Sequence, residues 1–414
     1  MQCGINKRVI FIIIDHPKHF YLPYMSPVNR RNFLKTSGLA VLPAIIANPV
    51  LAMGTGYKKS PPGTPVIKFF GDGEMFEPIE YLNILQQANA STGVVKDAYG
   101  AGGSVEALEK KFAEITGKEK AIYMPSGTMA NQLAMAVLSG EKSKVFVQDT
   151  SHVYRDEADA AQSVFQKRLM PLAKEEPFFT AQQLQSAVEA LPSEEVFKTG
   201  VGAVSIENPV RRSDGRMVPV EELRKISAYC RTNNIKLHLD GARIYMASTW
   251  SGVSVKEYAS LCDTIYISLY KYFGAAGGAV LCGDKAVIDT MPHLIKVHGG
   301  TMYGNWANAA MALYRLEGIE TRLKNTVQKA NELFDALNKI PGITIKALPG
   351  GTNIYNFALS PKIDCAKTRD RLNTTFNIRI GRFNDKNESF LTVNETLLYQ
   401  DNNYIINAFK KSVE

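Results

Sequence analysis

Little in this chain points to a metalloprotein, a disulfide scaffold or a membrane protein. Of its five cysteines one is Cys3, near the start, and the remaining four, Cys230, Cys262, Cys282 and Cys365, fall in apolar or strand-like surroundings without metal-ligand spacing. They read as buried thiols. Only two tryptophans and six histidines are present. There is no heptad run, internal repeat or basic patch interleaved with aromatics, which excludes coiled-coil, solenoid and nucleic-acid-binding readings. Nor does the net charge of +8 argue for a polyanionic partner. Residues 1–52 carry six Lys/Arg and one Asp, and the remaining chain is nearly balanced, with 42 basic and 39 acidic residues.

The basic leader has a pattern of its own. Arg30 and Arg31 precede Phe33, Leu34 and Lys35, followed by an apolar segment from Leu39 and the small-residue site Val50-Leu51-Ala52. It resembles a bacterial twin-arginine (Tat) export signal and implies a periplasmic destination, or a cytoplasmic one where the signal is unused. The apolar segment, about 14 residues interrupted by Pro43 and Pro49, is too short and broken to span a bilayer. Met25 is an alternative translation start.

What is abundant is the material of a large α/β enzyme. Residues 53–65, rich in Gly, Pro and Ser, read as an arm or linker, residues 66–304 as a large domain and 305–414 as a smaller C-terminal α+β domain. Short runs rich in branched and aromatic residues, at 121–124, 144–148, 201–207, 235–239, 264–269 and 279–282, predict strands. Helical patterns lie between several of them. One is "SVEALEKKFAEITG", with Ser104 as expected N-cap, Val105, Leu108, Phe112 and Ile115 on one stripe, and Gly117 at its stop. Leu223, Ile226 and Cys230 form another stripe. Such alternation implies a mostly parallel sheet with helices on both faces.

Ligands of open sheets bind beyond the carboxyl ends of the strands, so the residues there carry the functional expectation. Ser126, Gly127 and Thr128 begin a helix, where N–H groups, hydroxyls and the helix dipole suit a phosphate. His152 follows the strand at 144–148, Glu207 ends the next, Asp240 and Arg243 follow the strand at 235–239, and Ser268 and Lys271 close "ISLYK". Taken singly, each is more often a cap, a turn residue or a solvated charge. Together they match one cofactor, pyridoxal 5'-phosphate (PLP): an amine for its aldehyde, a carboxylate for its ring nitrogen and donors for its phosphate. Tyr270, Tyr272 and Phe273 are expected to enclose Lys271, and the glycines after it to let the backbone approach the cofactor.

From about residue 66 to 320 the chain resembles the threonine aldolase and β-eliminating lyase family of fold type I PLP enzymes. The resemblance rests on "AYGAGGSVEALE", "PSGTMANQLA", "SHVYRDEA", "EN" at 207–208, "LHLDGAR" and "SLYKYFGAAGG". It implies Lys271 as Schiff-base lysine, Asp240 as partner of the pyridinium and His152 as the imidazole stacked on the ring. Ser126, Gly127, Thr128, Arg243 and Ser268 are implied as further cofactor contacts. Arg243, Tyr99 and Glu207 are implied at the substrate, in a homodimer or homotetramer with Tyr99 reaching a neighbouring subunit's site. The function implied is cleavage of β-hydroxy-α-amino acids to glycine and an aldehyde. β-Elimination on another amino acid, or a non-catalytic PLP-binding role, stands as the alternative.

Departures from the family pattern concentrate at the substrate. Gly71 stands where a serine is usual, Val210 where a histidine is usual and Tyr303 where an arginine is usual. The arginine expected in the last segment is missing from "ESFLTVNE", which leaves Arg211, Arg212, Arg379 and Arg382 as candidates for a substrate anion.

Overall fold

The computed structural model describes residues 65–414, so the twin-arginine leader, the start-site reading and nearly all of the proposed arm lie outside the described residues. In chain order the strands are β1 (Ile67–Lys68), β2 (Lys120–Met124), β3 (Lys144–Gln148), β4 (Arg168–Leu172), β5 (Val201–Glu207), β6 (Lys236–Asp240), β7 (Thr264–Ser268), β8 (Ala279–Gly283), β9 (Ile343–Ala347), β10 (Ile354–Leu359), β11 (Ile378–Arg379) and β12 (Glu388–Thr392). Seven of them form the central sheet in the order β2-β8-β7-β6-β5-β3-β4. Only β8 runs against its neighbours β2 and β7, and the other pairs are parallel. Strands β3, β5, β7 and β8 are buried along their whole length, as expected of a sheet covered on both faces.

The six expected strands are all present, within a residue of their expected bounds. Strand β4, which contains Pro171, is not among the expected strands. It sits at the sheet edge, pairing only with β3, where a missing N–H costs no central ladder bond.

One sequence expectation at the helix Gly103–Thr116 is corrected. The cap is Gly102, not Ser104; Ser104 lies inside the first turn, buried, and its hydroxyl accepts a bond of 3.0 Å from the Val95 N–H. Within "GAGG", Gly103 makes a close approach inside the chain, while Gly100 and Gly102 face open space. Gly103 has φ +58°, and a Cβ there would come within 2.3 Å of the Lys96 carbonyl oxygen. The apolar stripe of this helix, Val105, Leu108 and Phe112, is fully buried, with Gly117 left-handed at its end.

A second core gathers around the antiparallel sheet β12-β10-β9 and the C-terminal helices. Residues Ile67 and Phe69, at the start of the described chain, belong to this core, because β1 pairs in parallel with β11. The helix Trp306–Leu316 packs instead against Gly103–Thr116, in the main core. Thus the chain leaves the second core, builds the sheet and returns. This route carries residues 70–76 past the strand ends.

Candidate active site

The strand-end residues converge as the topology requires. Strands β2, β3, β5, β6 and β7 point the same way, so Ser126, His152, Glu207, Asp240 and Lys271 all follow carboxyl ends on one edge of the sheet. At its centre is Asp240, 2% exposed, paired across β5–β6 with Glu207 and across β6–β7 with Tyr266. Its Oδ1 accepts from the Ala242 N–H at 3.1 Å and its Oδ2 from the Asn131 amide at 2.9 Å. Among the described residues no cation hydrogen bonds to this buried carboxylate. Arg243 is spent nearby, its Nε donating to Asp72 at 2.7 Å. Buried charges are ordinarily paired, so the site fits a ligand that brings a protonated nitrogen.

His152 is half-buried, and its Nδ1 lies 2.9 Å from Glu157 Oε1. The carboxylate accepts, so Nδ1 carries the hydrogen and Nε2 is left with its lone pair. That hydrogen bond raises the imidazole's pKa above the usual 6.5 against the opposing effect of burial, and the charges of Asp240, Glu157 and Glu207 add to the rise. Glu207 is not a free substrate ligand within the chain. Its carboxylate is 4% exposed at residue level and accepts from the His152 N–H at 2.7 Å and the Arg211 N–H at 2.9 Å, tying two loops together.

Burial, followed by the charge of Asp240, pushes Glu207 from the usual 4.5 up to about 7, against those backbone donors. The unfolded chain therefore releases this proton first as pH rises, and the contribution of Glu207 to stability declines from about pH 4.5 to about pH 7. Urea midpoints of Glu207→Gln measured across that interval should lack this part of the decline. A pH profile identical to that of the wild type would contradict the assignment.

At the end of β2, Ser126 is the N-cap of the helix Gly127–Ser139, its hydroxyl accepting from Met129 N at 3.2 Å. Gly127 is required there, since a Cβ would lie 2.1 Å from the Tyr266 hydroxyl. With Thr128, these residues present the positive end of a 13-residue helix.

Lys271 is less enclosed than its neighbours suggested. Tyr272 and Phe273 turn into the core, while Tyr270 is 50% exposed and receives the lysine amine at 3.2 Å on its hydroxyl. Two adjacent aromatic anchors seat the segment: the Tyr272 hydroxyl accepts from Tyr245 N at 3.2 Å, and Phe273 packs edge-on against Phe112, their centroids 5.7 Å apart. The glycine after them has a local reason too. Gly274 is left-handed, with Phe76 2.6 Å from where its Cβ would be. Residues 72–73 join the parts, Asp72 holding Arg243 while Gly73 lies against the backbone of Lys271 and Tyr272. Ser268 is buried at the end of β7.

Of the remaining expected residues, Arg211 borders the cluster, its N–H bonded to Glu207. Tyr99 is 62% exposed, its ring edge-on to Tyr303 at 5.3 Å and under the Lys296 amine at 5.8 Å. Arg211 and Arg212 both pair with Asp156. Arg379 and Arg382 lie exposed in the C-terminal part, and Val210 is fully buried. Conversely, Asn131, Glu157 and His238 were not singled out from the sequence. All three lie inside the quoted motifs, and spacing could have found two: Asn131 is one helical turn after Gly127, and His238 shares a strand face with Asp240.

Known proteins agree with this arrangement. The β-eliminating lyase family model matches residues 83–358. The low-specificity L-threonine aldolase of Candida albicans is 30% identical over 275 residues, covering 66% of this chain and 72% of that protein. An alanine racemase of Cochliobolus carbonum is 34% identical over 197 residues, 47% of this chain and 49% of its own. A crystal structure from Exiguobacterium sp. 255-15, named for the aromatic amino acid β-eliminating lyase/threonine aldolase class, superposes with a TM-score of 0.70 at 24% identity, covering 84% of this chain and 98% of that one. With the family model matching residues 83–358, more than half of its length, the chain belongs to the β-eliminating lyase family.

Proposed function

We propose that this protein is a PLP-dependent lyase that cleaves β-hydroxy-α-amino acids to glycine and an aldehyde. The observation that carries the reading is the buried, cation-free carboxylate of Asp240 on the same sheet edge as the Lys271 amine. PLP, when bound, supplies an aldehyde for amines and a ring that draws electrons from the substrate's Cα. Lys271 anchors it covalently, and Asp240 keeps a proton on the ring nitrogen. The helix end at Ser126, Gly127 and Thr128 binds the phosphate. Ser268 supports the floor.

The substrate is handled by two side chains. Arg243 uses only Nε on Asp72 among the described residues, so its terminal nitrogens serve the substrate carboxylate. His152, with Nδ1 committed to Glu157, offers Nε2 to take the β-hydroxyl proton as the carbon–carbon bond breaks. Val210 supplies no second imidazole, so hydroxyl recognition is relaxed and bulky or aromatic side chains compete with threonine.

The test is a substrate scan with product analysis. Glycine plus an aldehyde from a threonine or phenylserine isomer supports the reading. Ammonia and a keto acid from serine or cysteine, with no aldehyde from either, would replace it with β-elimination; the racemase similarity adds exchange of the Cα proton as a further outcome to score. Within the lyase reading, His152→Asn keeps the yellow cofactor while turnover falls by about 10²–10⁴-fold. An equally active His152→Asn enzyme would remove the imidazole from the reaction.

Assembly is part of the proposal. Leu82, Val95, Tyr99, Val297 and Tyr303 are all more than half exposed, an apolar group that suits a homo-oligomer with Tyr99 directed at a neighbouring subunit. Light scattering should find a dimer or tetramer, and a strictly monomeric active enzyme would contradict it.

A further inference from the structure

The buried groups behind the site form one connected chain. Asn131, 1% exposed, uses both hydrogens of its amide nitrogen on carboxylates: Glu157 Oε1 at 2.8 Å and Asp240 Oδ2 at 2.9 Å. Its carbonyl oxygen, Oδ1, lies 3.0 Å from His238 Nε2, and His238 Nδ1 lies 2.8 Å from the Thr264 hydroxyl. These partners fix the protonation pattern. Asn131 Oδ1 can only accept, so His238 Nε2 carries hydrogen and Nδ1 accepts from Thr264. Burial lowers His238 to about 4, which keeps it neutral in this role. The amide nitrogen therefore must face the two carboxylates. Glu157 in turn holds His152 Nδ1, so an unbroken path runs His152–Glu157–Asn131–Asp240.

We propose that Asn131 is a positioning residue that couples the two ends of the site, holding Glu157 and Asp240 ionised side by side so that Glu157 can charge and orient His152. This rests on the reading of His152 and Asp240 given above. The physical case is electrostatic. Glu157 and Asp240 share one donor atom, so their oxygens are at most roughly 6 Å apart, and both residues are at most 5% exposed. Two buried carboxylates at such a distance repel, and without the amide one of them retains a proton. Asp240 keeps its charge, because the Ala242 N–H still donates to it and, with PLP bound, a protonated ring faces it as well, so Glu157 is the one neutralised with or without PLP. His152 then loses the partner that favours its protonated form.

The other charged groups facing these positions do not replace the amide. Asp156 and Glu207 face His152, but Asp156 is paired with Arg211 and Arg212 and the Glu207 carboxylate is bonded to backbone N–H groups. Arg243, Glu207, His238 and Tyr266 face Asp240, but Arg243 is bonded to Asp72, and His238 reaches Asp240 only through Asn131.

The test is an imidazole titration by NMR on the purified full chain, with and without added PLP, the His152 signal assigned by its loss in His152→Asn. In Asn131→Ala the His152 midpoint should move down by about one pH unit. Glu157→Gln should move it the same way, and the double variant should move no further than Glu157→Gln alone, because both act through one carboxylate. Should Asn131→Ala fail to fold, checked by circular dichroism, Glu157→Gln carries the same prediction. A folded Asn131→Ala protein with an unmoved His152 midpoint, additive shifts in the double variant, or an unmoved midpoint in Glu157→Gln would each overturn the proposal. The PLP arm separates this from the functional reading: a wild type that binds no PLP contradicts the function while the titration without PLP still decides the coupling.

Discussion

Lys271→Ala should purify without the yellow colour of the wild type, resist tagging by borohydride and lose at least about 10²–10⁴-fold in turnover. The expectation follows from placement more than from residue type. Among the residues at the carboxyl edge of the sheet, Lys271 supplies the amine that lies free of any carboxylate, its hydrogen bond going to the Tyr270 hydroxyl. Three other lysines of the large domain, by contrast, are occupied: Lys144 pairs with Glu195, Lys167 bonds the carbonyls of Gly140 and Lys142, and Lys236 pairs with Asp263. The substitution should leave the fold intact, because the segment is anchored by Tyr272 and Phe273, both buried, and not by the lysine. Borohydride tagging of the wild type followed by peptide mapping is the direct check. A tag on any other lysine, or a coloured Lys271→Ala protein, would remove Lys271 from the role.

Asp240→Ala carries the second large effect, and its signature is different. Without a carboxylate the ring nitrogen of bound PLP loses the group that keeps it protonated, and turnover falls by about 10²–10³-fold while Lys271 still binds the cofactor. Stability responds in two opposing ways. The Asn131 amide and the Ala242 N–H lose their acceptor, at about 1–3 kcal/mol for each buried group left unpaired. Against this, the charge that helps push Glu207 up to about 7 is gone, so Glu207 relaxes toward its usual range. The pH-dependent decline in stability between about 4.5 and about 7 should therefore shrink in Asp240→Ala as it does in Glu207→Gln. An Asp240→Ala enzyme with undiminished turnover would show that the carboxylate has another task.

Much of this site was legible before any coordinates because its parts obey local rules. A strand's carboxyl end, a helix beginning at Ser-Gly-Thr and a lysine closing an apolar run are each readable within a few residues, and parallel topology then places them on one edge. The strands of the central sheet were readable for the same reason, as runs buried on both faces. Where reading failed, a contact from outside the helix had intervened. Ser104 looked like a cap until Val95 claimed its hydroxyl. Strand β4, at the sheet edge, carries Pro171 and was not read from the sequence at all.

By itself the sequence determined the class of the protein: the order of the strand-end groups, the lysine, the carboxylate and the phosphate-suited helix start are properties of short segments whose backbone geometry is local. Tertiary structure alone decided how those groups are charged and held. Glu157 and Asp240, 26 and 109 positions further along the chain, meet on the amide of Asn131, while Asp72 crosses 171 positions to occupy Arg243. Periodicity cannot report such meetings, because a hydrogen bond between side chains on different elements depends on how the sheet and its covering helices pack, and the ionisation of a buried group depends on everything packed around it.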